Sequence, residues 1–384
     1  MTWPEVPFPQ ALRDVSSGNT KVPNTEFRES GVLPVIDQGK GSIAGYVDDP
    51  DLAQRNELPV IVFGDHTRCF KYIDFPFAVG ADGVKILAVA DGFDPRYLFW
   101  FLTSLDIPSA GYSRHYKYLK EFSVVKPPLA EQKRIAAVLD QVESLRAKRR
   151  EALALLDDLA QSVFLDMFGS GSEGDSGGSW PVADLKSVAA LITKGTTPTS
   201  VGLRFTDSGV RFLRAQNIAH GTVDFSAGIL HIDQESHGIL KRSRVLPGDV
   251  LVSIAGTIGR SGLVPPDAEE MNCNQAVAII RLLDSVDRRY VLAWLNSAGA
   301  GRQIAASSVT GTISNLSLGQ LGGLRLPLPP LELQQEFERR LSSIDRKRAA
   351  HRTHLSALDE LFTSLQHRAF SGTLWDHGAT GDAA

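Results

Sequence analysis

The chain has 384 residues, and at about 150 residues per domain this length predicts two or three domains. Hydrophobic residues make up 43% of it and charged residues 22%, which excludes extensive disorder and fibrous repeats. The net charge of -4 does not indicate a nucleic-acid binder by bulk electrostatics, although a binding face needs only local positive charge.

Cysteine usage and hydropathy predict a soluble cytoplasmic protein. Cys69 and Cys273 are the only cysteines and lie in no C-x-x-C pattern, so we expect neither a disulfide framework nor a structural zinc site. The N-terminal residues do not form a signal-peptide pattern, and no apolar run approaches the roughly 18 residues that span a bilayer.

The chain order predicts a mixed α+β (α/β) architecture. Residues 1–125 form a first globular domain, with a strand-like run at 58–63 and a helix at 97–105. Residues 126–168 form a long helix, and residues 169–179 have the Gly/Ser composition of a flexible linker. A second globular domain at 180–325 and a second long helix at 326–375 follow, and residues 376–384 form a tail.

Neither Pro nor Gly interrupts residues 129–168 or 331–370, so each run predicts a helix of about 40 residues and roughly 60 Å. Apolar residues at steps of three or four predict one seam along each helix. The first seam contains Ile135, Leu139, Val142, Leu145, Leu153, Leu156, Ala160, Val163 and Met167, with Arg149 as its charged interruption; the second contains Phe337, Leu341, Ile344, Leu355, Leu358, Leu361, Leu365 and Phe370.

The two halves of the chain are an internal duplication. The segment DPRYLFWFLTS at 94–104 resembles DRRYVLAWLNS at 287–297, and PPLAEQ at 127–132 resembles PPLELQ at 329–334, a spacing of 202 residues. Each globular domain also begins with Trp-Pro, at Trp3 and Trp180. We expect the two helices to pair as an antiparallel coiled coil; the alternative is that each packs on its own domain or on a partner protein.

No catalytic, metal-binding or cofactor-binding motif is evident. The glycine-rich run at 256–262 lacks the Gly-Lys-Ser/Thr ending of a phosphate-binding loop, so we interpret it as a turn between strands. The nine histidines form no H-E-x-x-H pattern, and no G-x-S-x-G occurs.

Basic, amide and hydroxyl residues in the loops are candidates for DNA binding, because Arg reads guanine, Asn and Gln read adenine, and cations neutralise phosphates. Residues 111–120 interleave rings with cations and supply Tyr112, Arg114, His115, Tyr116 and Lys117; the alternative is an amphipathic strand with its tyrosines packed inward. The second domain supplies Lys194, Thr196, Thr197, Arg214, Gln216, Asn217, Asn274, Gln275, Thr310, Thr312 and Asn315. Further candidates are Lys40, Arg68, Lys71, Thr257 and Arg260.

This pattern resembles the DNA-specificity subunits of type I restriction-modification systems. The resemblance rests on the duplication, on the paired P-P-L entries into long helices, and on GDVLVSIAGTIG at 248–259 followed by NQAV at 274–277. The first domain departs from it with VFGDHT at 62–67, and Leu333 stands where the first copy has Glu131.

The resemblance implies that each globular domain is a target-recognition domain that reads one half of a bipartite DNA sequence. The helices would set the spacer and dock methyltransferase subunits, two in number, with a restriction/translocase subunit as a further partner and no membrane. The chain itself would be no enzyme and would hold no cofactor, since S-adenosylmethionine and ATP would bind the partner subunits. The alternatives are a stand-alone DNA methyltransferase or nuclease, and a coiled-coil interaction scaffold.

Overall fold

The computed structural model describes residues 3–81, 83–109, 111, 113–170, 180–219, 221–226, 228–307 and 315–374. The chain divides into two units: unit 1 comprises Met1–Glu151 with His351–Ala384, and unit 2 comprises Ala152–Ala350. Most of the predicted linker at 169–179 and the predicted tail at 376–384 lie outside the described residues.

Unit 1 contains one two-stranded and two four-stranded sheets, ordered β1-β10, β2-β9-β6-β7 and β3-β8-β4-β5. Its elements in chain order are β1 (Glu5–Pro7), α1 (Phe8–Ala11), β2 (Leu12–Asp14), β3 (Lys21–Val22), β4 (Leu33–Ile36), β5 (Gly45–Val47), β6 (Val60–Gly64), β7 (Phe70–Ile73), β8 (Ala78–Gly80), β9 (Val84–Val89), α2 (Pro95–Thr103), α3 (Tyr116–Leu119), β10 (Ser123–Val125) and the start of α4 (Leu129–Phe168).

Unit 2 contains a two-stranded, a six-stranded and a four-stranded sheet, ordered β11-β22, β12-β21-β18-β19-β15-β14 and β16-β13-β20-β17. Its elements after α4 are β11 (Val182–Asp184), β12 (Ala189–Lys194), β13 (Val210–Leu213), β14 (Ile218–Ala219), β15 (Gly221–Val223), β16 (Leu230–Ile232), α5 (Gln234–Ile239), β17 (Arg244–Val245), β18 (Val250–Ser253), β19 (Ser261–Leu263), β20 (Met271–Cys273), β21 (Val277–Leu282), α6 (Arg288–Leu295), α7 (Ala298–Ser307), α8 (Leu318–Gly322), β22 (Arg325–Pro327) and the start of α9 (Leu331–Phe370).

The first and last strands of each globular part pair in the same way. Val6 of β1 lies opposite Val124 of β10, and Ala183 of β11 lies opposite Leu326 of β22. The chain leaving each pair donates a backbone hydrogen bond to the repeated Trp-Pro dipeptide, from Lys126 to Pro4 at 2.8 Å and from Leu328 to Pro181 at 2.7 Å. The duplicated dipeptide therefore fixes the point where each long helix begins.

The long helices have the bounds of the uninterrupted sequence runs, Leu129–Phe168 and Leu331–Phe370. The wider bounds 126–168 and 326–375 were wrong, because each Pro-Pro pair precedes its helix and residues 326–327 belong to β22. Each starts after the second proline of its Pro-Pro pair, whose carbonyl accepts the first helical hydrogen bonds. α4 ends at Phe168, and the next residue, Gly169, adopts a left-handed φ of 71° that a side chain would disfavour.

One buried glutamine at the start of each long helix connects that helix to its globular part. Gln132 accepts a hydrogen bond from Asp94 N at 2.7 Å and donates to the carbonyl of Pro127 at 2.8 Å. Gln334 repeats both contacts, with Asp287 N at 2.9 Å and the carbonyl of Pro329 at 2.8 Å. Asp94 and Asp287 are in turn the N-caps of α2 and α6. The glutamine is thus the part of the duplicated motif that orients the helix, which explains why Leu333 can replace Glu131 beside it.

In unit 1, the beginning of α4 runs antiparallel to the end of α9. Arg146 Nε donates to Asp359 Oδ1 at 2.6 Å, and its guanidinium lies 4.4 Å from the centre of the Phe362 ring. Further along α4, Arg149 contacts His351 Nδ1 at 3.2 Å. Phe370 packs edge-on against Tyr97 of α2, so the end of α9 completes the core of unit 1.

Unit 2 repeats this pairing with the roles of the helices exchanged. Arg348 of α9 contacts Asp157 of α4 at 2.8 Å, and these residues lie 202 positions from Arg146 and Asp359 respectively. Phe168 packs edge-on against Tyr290 of α6 at 4.8 Å, as Phe370 does against Tyr97. The predicted antiparallel pairing is confirmed, and each unit contains one half of both long helices.

The predicted apolar seams were wrong at two positions. Leu145 and Leu361 are 42% and 45% exposed, whereas the neighbouring side chains of Arg146 and Phe362 face the helix pair. From Val142, a step of three leads to Leu145 and a step of four leads to Arg146, and both steps are compatible with a helical seam. Arg146 faces the partner helix because it forms an ion pair with Asp359 and a cation–π contact with Phe362.

Substituting Gln132 with alanine tests its role in orienting α4. The side chain has no solvent exposure, so its loss leaves the Asp94 N–H without its acceptor, and we expect the free energy of unfolding to fall by about 1–3 kcal/mol. Gln141→Ala, at an exposed position of the same helix, is expected to change it by less than about 0.5 kcal/mol. Urea denaturation measures both; equal effects of the two substitutions would contradict this role.

Candidate nucleic-acid interface

The loops of unit 2 that contain most of the candidate residues meet at one edge of its sheets. Lys194 ends β12 opposite Ala278, near the start of β21, and Ser253 ends β18 opposite Val277. The chain crosses from the four-stranded to the six-stranded sheet at residues 274–276, where Asn274 N donates to the carbonyl of Leu213 at 3.0 Å. We call this region, residues 194–197, 214–217, 254–260, 274–276 and Asn315, the unit 2 loop edge.

Close backbone approach holds two of these loops together. Thr196 N donates to the carbonyl of Cys273 at 3.1 Å, and a Cβ atom on Gly195 would lie only 2.0 Å from that carbonyl oxygen. The Thr197 hydroxyl donates to Gln275 Oε1, which fixes the orientation of the exposed Gln275 amide. Burial raises the pKa of the Cys273 thiol, so this residue is an inert part of the core beneath the loops.

The exposed side chains of the unit 2 loop edge combine cations with hydrogen-bonding groups. Its segments contain three basic residues and no Asp or Glu. Exposed or half-exposed candidates on it are Lys194, Thr196, Thr197, Arg214, Gln216, Thr257, Arg260, Asn274, Gln275 and Asn315. Asn315 forms a bridge with Ala255, so the chain after α7 joins this edge beside the glycine-rich turn. That turn connects β18 and β19, as the sequence indicated, and is not a phosphate-binding loop at a helix N-terminus.

Asn217 is fully buried and shapes the loop from within. Its Oδ1 accepts a hydrogen bond from Arg214 N at 2.9 Å, and its Nδ2 lies 3.4 Å from the carbonyl of Asp224. Arg214 donates from Nη2 to the carbonyl of Gly228 at 2.8 Å. The amide of Asn217 therefore positions Arg214 and Gln216 and does not itself reach the surface.

Unit 1 forms an equivalent edge from residues 37–41, 64–69, 81, 83 and 113–116, which we call the unit 1 loop edge. Asp65 N donates to the carbonyl of Gly83 at 2.7 Å, and His115 N donates to the carbonyl of Asp65 at 2.9 Å. The contact between His115 and Asp65 corresponds to the bridge between Asn315 and Ala255 in unit 2. Lys40, Arg68 and Arg114 are exposed on this edge, and Lys117 is exposed next to it.

Three of the other unit 1 candidates hold the loops in place. Lys71 is 8% exposed and donates to the carbonyl of Asp37 at 2.8 Å. His115 is 1% exposed, with Nδ1 2.8 Å from the carbonyl oxygen of Asp65. Tyr116 packs edge-on against Phe8, and burial raises its pKa to about 12. Residues 116–119 are a short helix and not the strand considered as an alternative, although Tyr116 does pack inward.

Tyr112, Thr310 and Thr312 lie outside the described residues. Sequence reasoning missed Gln38, whose Oε1 accepts the backbone N–H of His66 at 3.2 Å on the unit 1 loop edge. The signal available for it was the polar, glycine-containing run at 37–41 directly after the apolar strand β4. It also missed Lys241 and Arg242 of unit 2.

In the described part of the chain, no group of three or more His, Cys, Asp or Glu residues could hold a metal ion. Within the same residues, no helix has the length and hydropathy needed to cross a membrane.

Residues 178–360 match the family model for the type I restriction modification DNA specificity domain. The type I restriction enzyme EcoBI specificity subunit of Escherichia coli is 28% identical over 398 residues, which covers 94% of this chain and 79% of that protein. The EcoR124I/EcoR124II specificity subunit of the same organism is 21% identical over 341 residues, covering 83% and 81%.

Two solved structures share the fold. The type I restriction-modification S subunit from M. genitalium superposes with a TM-score of 0.57 at 14% identity and covers 96% of each chain. A chain from a study of complex assembly and conformational transition of the type I R-M system gives a TM-score of 0.56 at 19% identity, covering 97% of this chain and 98% of that one.

Substituting Gly195 with alanine tests how tightly the unit 2 loop edge is built. Because the new Cβ would overlap the carbonyl oxygen of Cys273, the two loops must separate, and we expect a loss of about 1–3 kcal/mol in the free energy of unfolding. The control is Gly301→Ala inside α7, where no atom lies within 4 Å and alanine favours the helix by about 1 kcal/mol. Thermal unfolding should show opposite signs for the two variants; a neutral Gly195→Ala would contradict the tight approach.

Proposed function

We propose that the chain is a specificity subunit of a type I restriction-modification system and that each of its units reads one half of a bipartite DNA target. The observation that carries the proposal is the presence of two loop edges built on corresponding strands with different side chains. Two differing surfaces on one framework are what recognition of two different half-sites requires.

Each loop edge combines the two kinds of contact that DNA recognition uses. Gln275, Gln216 and Arg214 of unit 2 carry amide and guanidinium groups suited to base edges in the major groove. Lys194 and Arg260 are suited to phosphates, as are Lys40, Arg68 and Arg114 of unit 1. Lys71, His115, Tyr116 and Asn217 shape these edges and are not assigned base contacts.

The net charge of -4 is compatible with this role, because the cations are concentrated locally. The unit 2 loop edge carries no carboxylate at all. In unit 1, Asp65 is buried and accepts a hydrogen bond from Tyr116 N at 2.7 Å, while Asp37 contacts Lys71. Among the described residues of this edge, both carboxylates are thus used inside the protein and the exposed charges are positive; Asp82 lies outside the described residues.

The paired helices serve as the ruler and as the docking site for partner subunits. Leu145 in unit 1 and Leu155, Leu159 and Leu165 in unit 2 are exposed on α4, which gives each unit an apolar helix surface that a partner can cover. We assign it to methyltransferase subunits, two per chain in keeping with the duplication, with a restriction/translocase subunit as a further partner. Catalysis, S-adenosylmethionine and ATP then belong to those subunits in the cytoplasm, and this chain contributes recognition only.

Exchanging residues 180–325 for the corresponding domain of another specificity subunit tests the modular assignment. The hybrid and the original chain are each co-expressed with the methyltransferase, and methylated adenines are mapped in host DNA. We expect a split motif in which only one half changes and the spacer is retained, because the helices are untouched.

The reciprocal hybrid, in which residues 1–125 are exchanged, is the matched control and should change the other half. A change of both halves in either hybrid, or a methylated motif that is not split, would contradict the proposal.

A further inference from the structure

Unit 2 contains a basic cleft beside its loop edge, which the sequence did not indicate. The cleft has a volume of about 230 Å³ and opens between the edge strand β12 and strand β17 of the second sheet. Its polar lining consists of Thr193, Lys241, Arg242, Arg244, Glu270 and Arg281. Because Thr193 directly precedes Lys194, the cleft begins where the loop edge ends.

Two of the four cations in the cleft are already neutralised. Arg281 forms a two-bond ion pair with the buried Asp249, at 2.9 and 2.8 Å. Arg244 Nη1 lies 3.9 Å from Glu270, which is also 3.4 Å from His237 Nε2. These pairs are part of the framework between the two sheets.

Lys241 and Arg242 are exposed, and neither forms an ion pair in the part of the chain that the structure describes. Arg242 Nε donates to Thr193 Oγ1 at 3.2 Å, which anchors its guanidinium beside β12 and leaves its terminal N–H groups for a ligand. The cleft therefore carries an uncompensated charge of two, from neighbouring residues whose donors face one cavity. That combination suits an anion with several acceptor oxygens.

The turn that carries these two cations is fixed from below. Asn272 has no solvent exposure and donates from Nδ2 to the carbonyl of Leu240 at 3.0 Å, while its Oδ1 contacts His237 Nδ1. Ser243 N donates to the same carbonyl at 2.9 Å, closing the turn around Lys241 and Arg242. A rigid turn holds its charges in place before any ligand arrives, which lowers the entropic cost of binding.

We infer that this cleft binds a phosphate group of the DNA backbone next to the half-site that unit 2 reads. The inference rests on the proposed function, since it needs DNA at the adjacent loop edge. A contact of this kind fixes the position of the duplex but carries no sequence information, unlike contacts from Gln275 or Arg214. Free inorganic phosphate has the same recognition chemistry, so the experiment must separate the two sources.

The test is the double variant Lys241→Gln/Arg242→Gln in the full chain, assembled with its methyltransferase. Fluorescence anisotropy measures binding to a labelled duplex with the cognate motif and to one with both half-sites scrambled, over a range of NaCl concentrations. We expect both affinities to fall by about tenfold and the slope of log K against log salt to decrease by about one unit, since one phosphate contact is lost.

The matched control is Lys186→Gln/Arg325→Gln, which removes two charges from exposed side chains of unit 2 that contact Asp184 instead of the cleft. We expect its slope to equal that of the wild type. Both altered residues of the test variant are exposed, so an unchanged melting temperature will show that the fold is intact.

The outcomes are distinguishable. A wild-type complex that does not discriminate the cognate from the scrambled duplex would overturn the proposed function itself. If the wild type discriminates but the double variant keeps its slope, the phosphate contact is wrong and the proposed function stands. Loss of affinity for the cognate duplex alone would indicate base readout and likewise overturn it. Calorimetry with inorganic phosphate tests whether the cleft binds a free anion instead. If the wild type binds phosphate, the double variant does not, and the DNA affinity of the variant is unchanged, then the cleft is a free-anion site and the inference is wrong.

Discussion

The pairing of α4 with α9 depends on the register between these two antiparallel helices. Two equivalent arginine–aspartate pairs define that register. Arg146 contacts Asp359 in unit 1, and Arg348 contacts Asp157 in unit 2. Ion pairs with an exposed partner contribute only about 0.2–1 kcal/mol each, so burial of Phe337, Phe362 and the other apolar residues provides most of the attraction. The charged pairs have another role: sliding one helix by a turn would separate both of them, and a purely apolar seam would not oppose such a slip as strongly.

Each unit is completed by the helix that belongs to the other copy of the duplication. Phe370, at the end of the second helix, packs on Tyr97 of the first copy, and Phe168, at the end of the first helix, packs on Tyr290 of the second. Gln132 and Gln334 fix the start of each helix with the same hydrogen bonds. Each globular part therefore holds the beginning of one helix and the end of the other. This sharing of the helices is the reason for our proposal that they act as a ruler.

The sequence predicted the features that depend on local rules. The bounds of both long helices followed from the absence of Pro and Gly, the duplication followed from repeated motifs, and the loop candidates followed from polar runs at strand ends. The seam at Leu145 and Leu361 could not be predicted, because Arg146 and Phe362 become the inward residues only through each other. The cleft could not be predicted either: Arg242 and Thr193 are 49 residues apart and meet only because β12 is the edge strand beside that turn. Burial of Lys71 and His115 likewise depends on Asp37 and Asp65, which lie far away in sequence.

The most direct test of the ruler is a seven-residue insertion in each long helix, after Glu151 and after Ala350, where both helices pass from one unit to the other. A heptad preserves the paired faces and adds about 10 Å of helix, equivalent to about three base pairs of B-DNA. With the methyltransferase co-expressed and methylated adenines mapped, the spacer of the split motif should lengthen by about three base pairs while both half-sites stay the same. An unchanged spacer in an active complex would contradict the account.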